Sequence, residues 1–69
     1  MMPVTPETLR ELRRRLGARE GKPEISQAEL ARRLGANNMT VWRWEQGRAR
    51  PRGIAVATLQ RMMAEVGMK

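Results

Sequence analysis

The stretch Ser26-Gln27-Ala28-Glu29-Leu30-Ala31-Arg32-Arg33-Leu34-Gly35, followed by Ala36-Asn37-Asn38-Met39-Thr40-Val41-Trp42-Arg43-Trp44-Glu45-Gln46-Gly47, decides the fold. Ser26 is a helix N-cap, and Glu29 three residues later completes a capping box. Leu30 and Leu34 share one face at helical spacing, with Ala31 beside them. Gly35 then ends the helix, where a residue with positive φ is usually needed. Asn37 is the next N-cap, and Val41 and Trp44 give the helix after it a narrow inward face. Gly47 stops that helix in turn. Two short helices joined by a tight, glycine-containing turn make a helix-turn-helix over residues 26–47.

Towards the N-terminus, residues 1–4 read as a loose arm. Thr5-Pro6-Glu7 is a helix start: a hydroxyl cap, proline at the first helical position and an acid near the positive end of the dipole. Leu9, Leu12 and Leu16 follow at helical spacing and face the core. Arg10, Arg14 and Arg15 lie outside, and Arg13 sits at the edge of the apolar stripe. The helix runs to about Glu20 before Gly21 breaks it. Residues 18–25 carry Gly21, Lys22 and Pro23 and read as a solvated connection. Arg19 and Lys22 are the groups through which it would otherwise meet DNA or a partner. Ile25 is placed to pack on the first turn of the next helix as a staple.

Towards the C-terminus, residues 48–52 hold three arginines around Pro51 and form a loop. A last helix is predicted from Arg52 or Gly53. Ala55, Leu59, Met62 and Val66 recur along its core face with Met63 alongside, and Gly67 ends it. Met62 and Met63 read as core filler, although exposed methyl groups of Met63 or Met68 would suit a dimer seam. No stretch has a strand pattern. The expectation is one all-α domain, residues 1–69.

Composition narrows the function. Fourteen Lys and Arg stand against seven acids, for a net charge of +7. On so small a domain this excess points to a polyanion, nucleic acid first and anionic membrane second; the alternative is a merely solubilising surface. Hydrophobic residues make up 41% of the chain and recur at helical spacing, which excludes a disordered basic tail. Without cysteine there is no disulfide framework and no thiolate metal site. Without histidine the commonest general base and the other usual zinc ligand are missing. There is also no Asp, and the seven glutamates read as solvated helix faces, so an enzyme is not expected. No cofactor, metal or small-molecule ligand is expected. No apolar run approaches the 18 or so residues of a membrane span, and the N-terminus lacks a signal peptide's apolar core. A cytoplasmic setting fits.

At these residues the chain resembles the Cro/phage-repressor (XRE-type, lambda-repressor-like) family. The resemblance rests on Gln27-Ala28-Glu29-Leu30-Ala31, Leu34-Gly35, Thr40-Val41, Arg43-Trp44-Glu45, Gly47 and Pro51, and covers the central third of the chain. It implies a compact bundle of four or five helices that binds double-stranded DNA, often as a homodimer and often as a repressor. It implies base-reading positions at Gln27, Asn38, Met39 and Arg43. It further implies an ion pair between Arg13 and Glu45, tying the first helix to the third; otherwise Arg13 points to water. One departure is plain: in the family the Leu-Gly ending the first helix runs almost directly into the Ser-Gln, whereas here residues 18–25 intervene.

The residues support the same surface independently. With Val41 and Trp44 inward, Met39, Arg43 and Gln46 point outward, flanked by Asn38 and Trp42. Arg43 can bond guanine O6 and N7, Asn38 can pair similarly with adenine, and Met39 can meet a thymine methyl. Gln27 can brace the recognition helix or reach a base or phosphate. Arg48, Arg50 and Arg52 are candidate phosphate contacts, as are the helix amino ends with Asn37 and Thr40. Arg32 and Arg33 extend the basic surface or are simply solvated, the reading favoured for Arg33. Trp44 is a core anchor. Trp42 has no inward slot: it covers the sugar-phosphate backbone, packs on the Arg48 loop or sits at a dimer contact.

Three function classes compete. The first is a sequence-specific DNA-binding regulator, a repressor occupying a palindromic operator as a homodimer. The second is a protein-binding module, such as an antitoxin that also controls its own promoter; the chain shows no spare segment for a toxin beyond residues 18–25. The third, a membrane-active cationic helix, suits caps and glycine stops poorly.

Overall fold

A computed structural model describes residues 2–68. Four helices follow one another: α1 (Pro6–Arg19), α2 (Gln27–Leu34), α3 (Asn38–Glu45) and α4 (Ile54–Glu65), with no strand among the described residues. The Cα radius of gyration is 10.8 Å, against about 11 Å for a folded chain of this length. The domain is all-helical and closes on one core.

Local chemistry starts the first three helices. The Thr5 hydroxyl accepts the Thr8 amide at 3.1 Å, and the Thr8 hydroxyl accepts the Thr5 amide at 2.8 Å, so α1 has a full capping box with Pro6 as its first residue. Ser26 caps α2 by accepting the Glu29 amide. The box expected there is only half made: the Glu29 carboxylate turns to Arg32 and Arg33 instead of back to the cap. Two guanidiniums on the same helix face outcompete one backbone N–H. Asn37 caps α3 through the Thr40 amide at 2.8 Å. α4 starts at Ile54, one residue later than the expected window, with Gly53 at its head and no side-chain cap.

The helices end by one device. The amides of Lys22, Ala36, Arg48 and Met68 return to the carbonyls of Gly17, Ala31, Arg43 and Met63, each five residues back and each just past a glycine with positive φ.

Leu9, Leu12 and Leu16 of α1, Leu30 and Ala31 of α2, Val41 and Trp44 of α3, and Leu59 and Met63 of α4 are buried together, joined by Ile25 and Met68. Each fully buried leucine contributes about 1.5–3 kcal/mol. On α4 the deepest residues are Leu59 and Met63, while Ala55, Met62 and Val66 flank them half-buried. Met63 and Met68 are buried, so neither offers the exposed methyl group expected for a dimer seam.

The arm expected to be loose is docked. Met2 and Val4 pack against the core, Thr8 bonds the Pro3 carbonyl, and Gln60 bonds that of Met2; Met1 lies outside the described residues. Residues 18–24 are exposed, as expected of a solvated connection, but the segment 20–25 also doubles back along α1. The Ile25 amide donates to the Arg13 carbonyl at 3.0 Å, and the Ile25 side chain is buried. The Glu24 backbone crosses Gly17 so closely that a Cβ there would sit 2.3 Å from the Glu24 Cα. Gly17 is what lets these extra residues fit. On the outer side of the same region, Arg33 bonds both Glu29 and Glu20, so it joins α2 to the end of α1 rather than standing free in water.

Candidate nucleic-acid interface

The position of α3 follows from what it buries. Val41 and Trp44 enter the core, and Glu45 is buried with them at 2% exposure. Glu45 departs from the expected pattern of solvated glutamates. A carboxylate at the negative end of a helix dipole, out of water, needs cations and donors. The Arg13 guanidinium supplies two bonds, Nε to Oε2 at 2.7 Å and Nη2 to Oε1 at 2.9 Å. Gln27 Nε2 adds a third, to Oε1 at 3.1 Å. Arg10, expected to lie outside, reaches the Glu45 main-chain carbonyl at 2.6 Å. Arg13 also donates to the Ile25 carbonyl and to the Glu24 carboxylate, both at 3.1 Å. Its bonds to Glu45 raise its pKa further, so it stays charged. No buried polar side-chain atom is left without a partner among the described residues.

Gln27 therefore braces α3. Its amide nitrogen is committed to Glu45, which fixes the side chain at the junction of α2 and α3. The Asn37 Oδ1 accepts both the Thr40 amide and the Thr40 hydroxyl. Of the groups expected to face phosphates, the Thr40 amide is thus already engaged in the cap.

The opposite face of α3 is open. Asn38, Met39, Trp42, Arg43 and Gln46 are exposed, Met39 at 52% and Trp42 at 37%. Arg48, Arg50 and Arg52 follow, also exposed. None of these three, nor Arg43, has an ion-pair partner among the described residues. The carboxylates between residues 26 and 53 are Glu29 and Glu45, and both are bound to arginines. Of the seven described cations outside ion pairs, four (Arg43, Arg48, Arg50 and Arg52) lie on α3 and the loop after it, and the other three are Arg19, Lys22 and Arg61. Arg32 and Arg33, by contrast, spend their charge on Glu29 and Glu20.

Trp42 packs on the loop after α3: the Arg48 guanidinium lies over its ring, 5.5 Å from the centroid. Gly47, at φ 73°, turns the chain back at the helix end and sets Arg48 there. The signal for this contact was the glycine itself, because such a helix end returns the following residue towards the last turn. Arg10 also had a signal, since it lies one turn before Arg13 on the same face. Gly17 and Glu24 had none.

No group of three or more potential metal ligands occurs among the described residues. No helix among them is long and apolar enough to cross a membrane. Comparison of the chain with protein-family profiles, with curated proteins and with solved structures finds no match.

Proposed function

We propose that the chain is a sequence-specific double-stranded DNA-binding transcriptional regulator with the lambda-repressor-like helix-turn-helix plan. It acts as a cytoplasmic repressor, occupying a palindromic operator as a homodimer. The observation that carries this reading is the division of charge around α3. Every carboxylate near the helix is bound to arginine, while the outer face carries Asn38, Met39 and Arg43, followed by three unpaired arginines. An α-helix fits the major groove, where Arg43 suits guanine, Asn38 suits adenine and Met39 suits a thymine methyl. Arg48, Arg50 and Arg52 suit the phosphates beside it, together with the amino end of α3 at Asn37. Gln27 enters the reading chiefly as the brace of α3. In a homodimer, two copies of α3 would meet successive major grooves about 34 Å apart.

The test is selection from random double-stranded DNA, then titration of the enriched duplex and a scrambled one over a range of salt. A palindromic motif bound at least a thousandfold more tightly than scrambled duplex is expected, on the scale of about 10³–10⁷ for specific binders. Binding that depends on salt but not on sequence would overturn sequence reading. Absence of duplex binding would turn the exposed face of α3 towards a protein partner instead.

A further inference from the structure

We propose that Trp42 is a positioning residue: its indole face holds the Arg48 guanidinium in place for a DNA phosphate. This rests on the DNA-binding reading above and assigns Trp42 a part in it. Trp42 is a large aromatic side chain on the outer face of α3, 37% exposed and outside the buried core cluster. Arg48 lies over it at 5.5 Å, and Arg43, Arg50 and Arg52 have no such stack among the described residues.

The backbone sets up the contact. Gly47 adopts a left-handed conformation, and the Arg48 amide bonds the Arg43 carbonyl at 2.9 Å. This fixes the Arg48 Cα at the end of α3. The indole then restrains the rest of the side chain. A guanidinium lying on a ring face keeps its N–H donors, which spread from the edge of its own plane and remain free for a phosphate. A free arginine loses rotamer freedom when it docks, and one already stacked loses less. An exposed cation–π contact of this kind is worth roughly a two- to fivefold change in affinity.

The mechanism separates Trp42 from a direct DNA contact, because its effect must pass through Arg48. The experiment is a double-mutant cycle in duplex binding at fixed salt, using Trp42→Leu, Trp42→Phe, Arg48→Ala and the Trp42→Leu/Arg48→Ala pair. The probes are the duplex enriched by selection and its scrambled counterpart, with helical circular dichroism as the fold control. Trp42→Leu is expected to weaken both duplexes by a similar factor of roughly two to five. Trp42→Phe, which keeps an aromatic face, restores most of the loss. In the Arg48→Ala background, Trp42→Leu costs nothing further. An undiminished loss in that background would make Trp42 a direct contact and overturn the proposal, as would wild-type binding by Trp42→Leu. If the unaltered protein binds neither duplex, the DNA reading itself fails and takes this assignment with it. Those failures are distinct, because the last appears before any variant is made.

Discussion

Arg13 and Glu45 stand 32 residues apart in sequence and meet through two hydrogen bonds, at 2.7 and 2.9 Å, beneath the end of α3. The pair links α1 to α3, and through Gln27 and Ile25 it also holds the start of α2. It therefore sets the orientation of the exposed face of α3 relative to the rest of the bundle.

Breaking that pair should be far costlier than replacing it. Glu45→Ala leaves the Arg13 guanidinium partly buried with its main acceptor gone, at an expected cost of about 3–5 kcal/mol. Total stability for small domains is about 5–15 kcal/mol, so this loss is severe. The double change Arg13→Met/Glu45→Leu removes both charges and should recover much of it. Urea unfolding midpoints of the three proteins check this; a double variant no more stable than Glu45→Ala would count against it.

Gly17→Ala should destabilise the fold, although alanine is normally the better helix residue by about 0.5–1 kcal/mol. The added methyl would meet the Glu24 backbone at 2.3 Å, and a backbone cannot move aside as a side chain can. Overpacking of this kind costs about 1–3 kcal/mol. Chemical denaturation reads the sign directly, and a stabilised Gly17→Ala protein would show that residues 20–25 do not lie across α1.

Arg43 and Arg50 should fail in different ways under the DNA reading. Arg43→Ala should lose about 1–3 kcal/mol of preference at one base pair of a selected site while keeping its fold. Arg50→Ala should weaken all duplexes alike and reduce the slope of log affinity against log salt by about one unit. Titrations of matched and mismatched duplexes at several salt concentrations distinguish them. Unchanged preference in Arg43→Ala would mean that α3 does not read the groove through this residue.

Acid should loosen the domain in a defined window. Arg32 and then Arg33 hold the Glu29 carboxyl down to about 2 from an ordinary value of 4.5, and Arg15 and Arg14 lower that of Glu11. Groups with depressed folded values contribute stability that is fully present above the unfolded value and lost as pH falls through the folded one. Thermal stability should therefore hold steady at about pH 5 and fall progressively from there to about pH 2. In Glu29→Gln that acid limb should be shallower. An equally steep decline in the variant would show that Glu29 contributes nothing to it.

Much of the fold is legible residue by residue. Thr5, Ser26 and Asn37 announce helix starts because a cap needs only its own side chain and an amide three residues on. The leucine spacing of α1 and α2 marks their buried faces for the same local reason. Competition is less legible. Glu29 had a cap to complete and two arginines within reach, and only the relative strength of those bonds chose between them. On α4 the apolar stripe was clear, but spacing does not say which of its edges lies deepest. Packing put Leu59 and Met63 there and buried Met68 in the same cluster.

The sequence by itself determined four helix-forming segments, their glycine ends and the outward set on α3, because caps, period and positive φ are properties of neighbouring residues. It also determined the excess of positive charge. Only the tertiary structure decided where that charge is free. Arg10, Arg13 and Arg33 are taken up by glutamates or a helix-end carbonyl from elsewhere in the chain, while Arg43, Arg48, Arg50 and Arg52 are left without such ion pairs. Likewise only the fold brought Glu24 across Gly17 and buried Glu45 beneath Arg13. Such contacts depend on how segments meet after the chain has turned back on itself.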